Sequence, residues 1–168
     1  MTFALVRHQV NPEREFWFEV ARDLQYCIHV GDEVLCDTVK GLARGRVEKI
    51  IVGFSDDEFM EQYGFYPSAD IIGMYTNCIS PDVIRVPKYL SDSRPGVDKI
   101  KKRISEFYSK GGFKTKIEVD TNLTLKDGYT AYLVAKMFGV DTLQNCLISV
   151  GAESVYKTVL GRRRSDND

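Results

Sequence analysis

Apolar and polar residues alternate along the amino-terminal third of the chain, which is the pattern of half-buried β-strands. Phe16, Phe18 and Val20 recur at every second position. A Gly-Asp turn signal follows, then a second alternating run and a third over residues 46–52. Short strands separated by glycines are typical of small barrels. The pattern therefore predicts a small β-barrel over residues 1–54.

The apolar period changes in the second half of the chain. Val97, Ile100, Ile104 and Phe107 recur at helical spacing and predict an amphipathic helix that Gly-Gly ends. The predicted elements here are strands over 83–86, 117–119, 123–125 and 143–150 and helices over 97–109 and 129–138. Their order, β-α-β-β-α-β, indicates a mixed α+β unit, which we place at residues 79–160.

Two further segments are set apart by charge. Residues 55–70 hold five acidic residues and no basic one, and Ser55 before three acids is typical of a helix start. We expect an acidic linker or helical segment over residues 55–78; the alternative is an acidic patch that binds a metal or a partner. Residues 161–168 form a charged tail, whose three arginines either touch phosphate or simply face water.

Composition limits the classes of protein that remain. The 168 residues include 23 Lys plus Arg and 24 Asp plus Glu, a formal net charge of -1, which excludes a polybasic protein such as a histone. Hydrophobic residues make up 43%, as in folded globular proteins. No apolar run reaches the roughly 20 residues of a membrane helix, and no signal peptide is visible. We expect a cytoplasmic protein without membrane contact.

The four cysteines, Cys27, Cys36, Cys78 and Cys146, do not form a metal-binding pattern. None is paired as CxxC, and neither histidine lies at ligand spacing from them. We expect free thiols packed as small hydrophobic side chains, and no metal site. The alternative, Cys–His catalysis by Cys27 with His29, lacks a visible third group to orient the histidine.

A first resemblance lies in the amino-terminal strands. The run V-G-D-E-V-L-C-D-T, followed by G-L-A-R-G-R-V-E-K-I, is similar to the strand–turn–strand centre of SH3-like barrels. The resemblance covers about residues 15–53. It implies an SH3-like β-barrel ahead of the second domain and indicates no particular function.

A second resemblance covers about residues 80–150. The turn L-K-D-G at 125–128 and the helix end A-K-M-F-G at 135–139, together with the order of elements, resemble the ParB/sulfiredoxin-like superfamily, also called ParB-like nuclease domains. The fold class implied is α+β: a small amino-terminal SH3-like β-barrel followed by a ParB/sulfiredoxin-like domain.

The resemblance implies a phosphate site where the strand meets the helix, at Asp127, Gly128, Tyr129 and Thr130. A glycine lets the backbone approach a ligand, and a helix N-terminus offers free amides to an anion. Members of the superfamily add an arginine about three residues after the glycine, where this chain has Ala131. The site is therefore predicted to be degenerate, with no catalytic residues. The alternative is a plain turn and helix start.

Basic residues are concentrated in the same half. Residues 94–118 hold eight basic and three acidic residues. Arg94, Lys99, Lys102, Arg103 and Lys110 are predicted to bind nucleic acid, because clustered cations beside a phosphate site are typical of such proteins. The alternative is an ordinary solvated helix face.

These observations predict a nucleic-acid-associated binding protein, with DNA or RNA as partner, a degenerate phosphate site and no catalysis. One alternative is a protein–protein interaction or inhibitor protein of phage or mobile-element type. A second is a ParB-like nucleotide hydrolase or nuclease. The sequence identifies no cofactor, and a homo-oligomer is compatible with its separated acidic and basic segments.

Overall fold

The computed structural model describes residues 1–151, and they form two compact units. Of the described residues, unit 1 contains Met1–Met74, Val150 and Gly151, and unit 2 contains Tyr75–Ser149. Helices and strands are mixed along the chain, which confirms the predicted α+β class. The predicted tail at 161–168, and the end of the domain predicted for 79–160, lie outside the described residues.

Unit 1 is built from five strands and one helix. They are β1 (Thr2–His8), β2 (Glu15–Val20), β3 (Glu33–Thr38), β4 (Gly41–Val52), α1 (Asp56–Tyr63) and β5 (Asp70–Thr76), the last two residues of β5 belonging to unit 2. Strand β1 pairs antiparallel with β2 and β4, and β3 pairs antiparallel with β4 and β5. A parallel pairing of β2 with β5 closes the ring of pairings.

Strands β1 and β5 were not predicted from the sequence. Burial on both faces explains why β1 was missed. Strand β1 reads Thr-Phe-Ala-Leu-Val without alternation. Ala4 and Val6 are fully buried, and so is Phe3, whose ring centroid lies 4.3 Å from that of Phe59 in α1. A strand covered on both faces loses the period of two. The predicted strands at 16–20 and 46–52 are confirmed as β2 and part of β4.

The acidic segment at 55–78 contains helix α1 and strand β5. Ser55 starts the helix through a capping box: its hydroxyl accepts from the Glu58 amide at 3.2 Å, and the Glu58 carboxylate accepts from the Ser55 amide at 2.7 Å. These hydrogen bonds lower the pKa of Glu58. Phe59 anchors the helix in the core. The first-turn acids thus serve the helix start, as the sequence indicated.

Unit 2 combines three helices with a small sheet. Its elements are α2 (Lys88–Ser91), α3 (Val97–Lys110), β6 (Glu118–Asp120), β7 (Leu125–Asp127), α4 (Tyr129–Met137) and β8 (Cys146–Ser149). Strand β6 lies between β7, antiparallel to it, and β8, parallel to it. The predicted helices at 97–109 and 129–138 are confirmed as α3 and α4, and the paired strands at 117–125 as β6 and β7.

The strand predicted at 83–86 is wrong. Residues Pro81–Val83 form a 3-10 turn instead, capped by the Ser80 hydroxyl, which accepts from the Asp82 amide at 3.3 Å. Only Arg85 makes an isolated bridge, to Thr124. Prolines at 81 and 87 lack the backbone N–H that strand pairing needs, so the apolar run between them does not extend into a ladder.

The core of unit 2 forms where α4 packs against the sheet. Its buried members are Ile79, Ile84, Ile117, Val119, Leu125, Ala131, Tyr132, Ala135, Leu143 and Cys146. No helix within residues 1–151 has the length and the apolar character that crossing a membrane requires.

The cysteines should differ sharply in reactivity. Burial raises the pKa of Cys36 to about 12 and that of Cys146 to about 11, whereas Cys27 and Cys78 are exposed. Because the thiolate is the reactive form, we expect a thiol reagent to modify Cys27 and Cys78 in the native protein and all four after unfolding in guanidinium. Mass-spectrometric mapping of the modified peptides checks this, and rapid native labelling of Cys36 or Cys146 would contradict it.

Candidate functional site

The turn ahead of α4 is shaped by a close backbone approach. Gly128 has φ +83°, and a Cβ built on it would lie 2.7 Å from the Lys116 carbonyl oxygen and 2.9 Å from the Ile117 Cα. Any side chain at this position would collide with the neighbouring backbone. It would also strain the backbone of residue 128 itself, because a positive φ is unfavourable for residues other than glycine. The packing of unit 2 is therefore sufficient to require glycine at this position, with or without a ligand.

The four residues predicted to bind phosphate are consecutive in the chain, and one of them, Asp127, itself carries a carboxylate. The Asp127 carboxylate accepts a hydrogen bond from the Gly128 amide at 2.7 Å, and Glu118 is its register partner on β6. No side chain of the described residues caps α4, while Tyr129 and Thr130 are half-buried. The Asp127 carboxylate beside the helix start reduces its attraction for a second anion.

The position expected to hold an arginine lies inside the core. Ala131 is 1% exposed and belongs to the buried cluster of unit 2. An arginine there would have to bring its guanidinium into an apolar interior, which is costly without a partner. The burial of Ala131 therefore leaves no place for the arginine that the resemblance implies.

A polar network that the sequence did not reveal lies near this turn. Lys126 donates to the Ser149 hydroxyl at 2.6 Å, and that hydroxyl donates to the Glu118 carboxylate at 2.6 Å; Lys126 also lies 3.3 Å from Glu118. The three residues come from β6, β7 and β8, and their sequence separation of up to 31 residues left no local signal. The network neutralises the charge of Lys126.

Helix α3 presents most of the predicted nucleic-acid residues to solvent. Gly111, at φ +67°, ends the helix after Lys110. Ile100, Ile104 and Phe107 are half-buried, as their spacing predicts, whereas Val97, predicted on the same side, is 66% exposed. The residues exposed on or beside α3 are Arg94, Lys99, Lys101, Lys102, Lys110 and Lys114, and none of them lies within ion-pair distance of an acid among residues 1–151.

Arg103 differs from the other predicted cations because it is already paired. Its guanidinium lies 2.6 Å from the Glu106 carboxylate, and the two side chains are only 20% and 11% exposed. Glu106 also accepts from the Lys114 backbone amide, and the pKa of Glu106 is lowered, chiefly by Arg103. The spacing of three residues is a recognisable pairing signal. Lys101 was left out of the predicted set, although it is exposed.

Comparison with known proteins yields a likeness to a ParB-N domain. No protein-family model matches the chain, and no curated protein matches it. Among solved structures, a Pnob8-like ParB-N domain is 19% identical with a TM-score of 0.37, over 46% of this chain and 30% of that chain. The chain thus spans less than a third of that structure's length. None of the comparisons supports the SH3-like resemblance.

No group of three His, Cys, Asp or Glu side chains in the described part of the chain is placed to hold a metal ion. The candidate site consists of the exposed cations of α3, with the turn at 127–130, which carries Asp127, as a second region of the same unit.

Stability measurements can separate a role of Gly128 in packing from a role in ligand binding. Gly128→Ala adds a steric collision to the strain of a positive φ and should lower the free energy of unfolding by about 3 kcal/mol or more. Gly139→Ala, at φ +64° with nothing within 4 Å of the added carbon, should cost only about 1 kcal/mol. Urea unfolding measures both, and equal losses would contradict the close-packing argument.

The Arg103–Glu106 pair should make unit 2 sensitive to acid. Because folding lowers the pKa of Glu106 below its ordinary 4.5, the pair's stabilisation is complete above that value and is lost as the pH falls through the lowered folded pKa. Glu106→Gln should therefore flatten the fall of unfolding free energy below about pH 4.5. Glu13→Gln, which alters an exposed residue outside the ion pairs of residues 1–151, is the control, and an unchanged acid slope in Glu106→Gln would refute the assignment.

Proposed function

We propose that the chain binds nucleic acid through the exposed cations of α3, without catalysing a reaction. The supporting observation is how the charges of residues 94–118 are distributed. Glu106 and Glu118 are engaged with Arg103 and Lys126 inside unit 2, whereas the lysines of α3 face solvent unpaired within the described chain. Of the three acids, Asp98 alone is left to offset them on the surface.

The chemistry of this face favours contact with the phosphate backbone. Lysine is a compact, flexible point charge, whereas specific base contacts in the grooves depend largely on the bidentate donors of arginine. Arg94 is the exposed arginine of the proposed set, because Arg103 is held by Glu106. Binding of this kind gains free energy from counterion release and falls steeply with salt. The proposed binding is therefore tolerant of sequence.

The turn at Asp127, Gly128, Tyr129 and Thr130 has a secondary place in this proposal. Its uncapped helix start supports a phosphate contact, and the Asp127 carboxylate opposes one. The relation of residues 80–150 to ParB-like domains and that of residues 15–53 to SH3-like barrels stay predictions, as do the identity of the nucleic acid and the location in the cytoplasm.

The alternatives have less support. Nucleotide hydrolysis or nuclease activity of the ParB-like type would need a phosphate-gripping cation where Ala131 is buried. A protein–protein interaction or inhibitor role is compatible with the separate acidic residues of α1, but the unpaired lysines of α3 favour a polyanion. A phage or mobile-element origin and a homo-oligomer stay predictions.

Replacing lysines on α3 tests the proposal. Each of Lys99→Gln, Lys102→Gln and Lys110→Gln should weaken binding to a labelled DNA and, for each phosphate that is no longer neutralised, reduce the slope of log affinity against log salt by about 0.9. Lys40→Gln, which alters an exposed lysine of unit 1, is the matched control. Fluorescence anisotropy across a salt series measures both quantities. Absence of binding by the wild-type chain at about 50 mM salt would overturn the proposal.

Arg103→Gln gives a contrasting result under the same proposal. Because Arg103 is engaged by Glu106, its removal should reduce stability more than it reduces the salt slope. A slope change equal to that of Lys102→Gln would show that Arg103 contacts phosphate.

A further inference from the structure

We propose that the nucleic acid bound by α3 is single-stranded and that an unpaired base stacks on Tyr108. This inference rests on the proposed function and names its ligand class. Tyr108 lies two residues before the end of the lysine-rich helix α3, and its side chain is 75% exposed. Most of the surface of this side chain is open to solvent, and it lies on the element that carries the unpaired cations.

The ring is held in place by a continuous aromatic row. Tyr108 meets Phe138 edge-on, with centroids 5.2 Å apart and planes at 86°, and Phe138 stacks on Phe107 at 4.9 Å and 14°. Phe107 in turn contacts Phe113 at 5.6 Å. Because the row continues from half-buried rings, Tyr108 is positioned before a ligand arrives. A pre-positioned ring loses little conformational entropy on stacking.

One cation of α3 shares the face of Tyr108. Lys101 precedes it by seven residues, which is two helical turns and about 10 Å along the axis on the same face. At 3.6 residues per turn Lys102 lies about 120° round the helix axis from Tyr108, and Lys99 and Lys110 lie close to the opposite side of α3. A strand crossing the face of Tyr108 can therefore place a phosphate near Lys101 while one base reaches the ring.

The combination favours a single strand over a duplex. In a duplex both faces of each internal base are already stacked, so an exposed ring on a helix flank finds no free base face. In a single strand the bases are free to stack on aromatic side chains, and this contact tolerates any sequence. Unpaired lysines alone would bind a single strand or a duplex. The exposed ring of Tyr108 is the feature that favours the single strand.

The test compares one single strand and one duplex on the full-length chain. Fluorescence anisotropy gives the dissociation constants for a labelled oligothymidylate and for a labelled duplex of equal length. Tyr108→Ala should weaken binding of the single strand by about tenfold and of the duplex by less than about twofold. Tyr108→Phe, which keeps the ring, should bind as the wild type does. Tyr89→Ala, at a tyrosine that is 68% exposed on α2, is the matched control.

The outcomes separate this inference from the proposed function. If Tyr108→Ala leaves single-strand binding unchanged while Lys102→Gln weakens it, the stacking inference is overturned and the proposed function stands. Equal losses on single strand and duplex would also overturn it, because they would show that Tyr108 acts through helix packing; circular dichroism melting of the variant reports that packing independently. If the wild-type chain binds neither ligand, both fail.

Discussion

The close approach of the Gly128 backbone to the backbone of Lys116 and Ile117, just ahead of β6, constrains the rest of unit 2. With 2.7 Å between the site of a Cβ and the Lys116 carbonyl oxygen, helix α4 can begin only at a residue without a side chain. Starting there, the helix turns Ala131 and Ala135 into the core, both at 1% exposure or less. Position 131 is therefore unsuited to a phosphate-binding arginine, and the cations available to a ligand are those of α3.

Internal pairing decides which charges of unit 2 remain available. Glu106 forms an ion pair with Arg103. Glu118 forms an ion pair with Lys126 and accepts a hydrogen bond from the Ser149 hydroxyl. Partly buried pairs of this kind are costly to break, because each would leave an unpaired charge away from water. The exposed lysines of α3 have no such partner among the described residues. A nearly neutral chain thus presents a locally cationic surface, which its net charge of -1 conceals.

The sequence predicted the elements whose periodicity reflects one covered face. Helix α3 has a single apolar side and a glycine stop, so its bounds were predicted within a residue. Strand β1 has both faces covered, so its pattern lacks alternation. Of the candidate site, the exposure of Lys99, Lys102 and Lys110 followed from helical spacing. The Lys126–Ser149 hydrogen bond joins strands far apart in sequence, and the burial of Ala131 depends on how α4 packs, so neither could be predicted locally.

Lysines and an aromatic ring impose different selectivities on a bound polyanion. The lysines respond to phosphate density and are weakened by salt, because their contribution is counterion release. The ring responds to whether a base face is free, and stacking is much less sensitive to salt. On α3 the two lie within two helical turns of each other, since Lys101 and Tyr108 share a face. In the proposed binding, rising salt weakens the contribution of the lysines more than that of Tyr108, so the proposed preference for single strands should be largest at high salt, where total affinity is lowest.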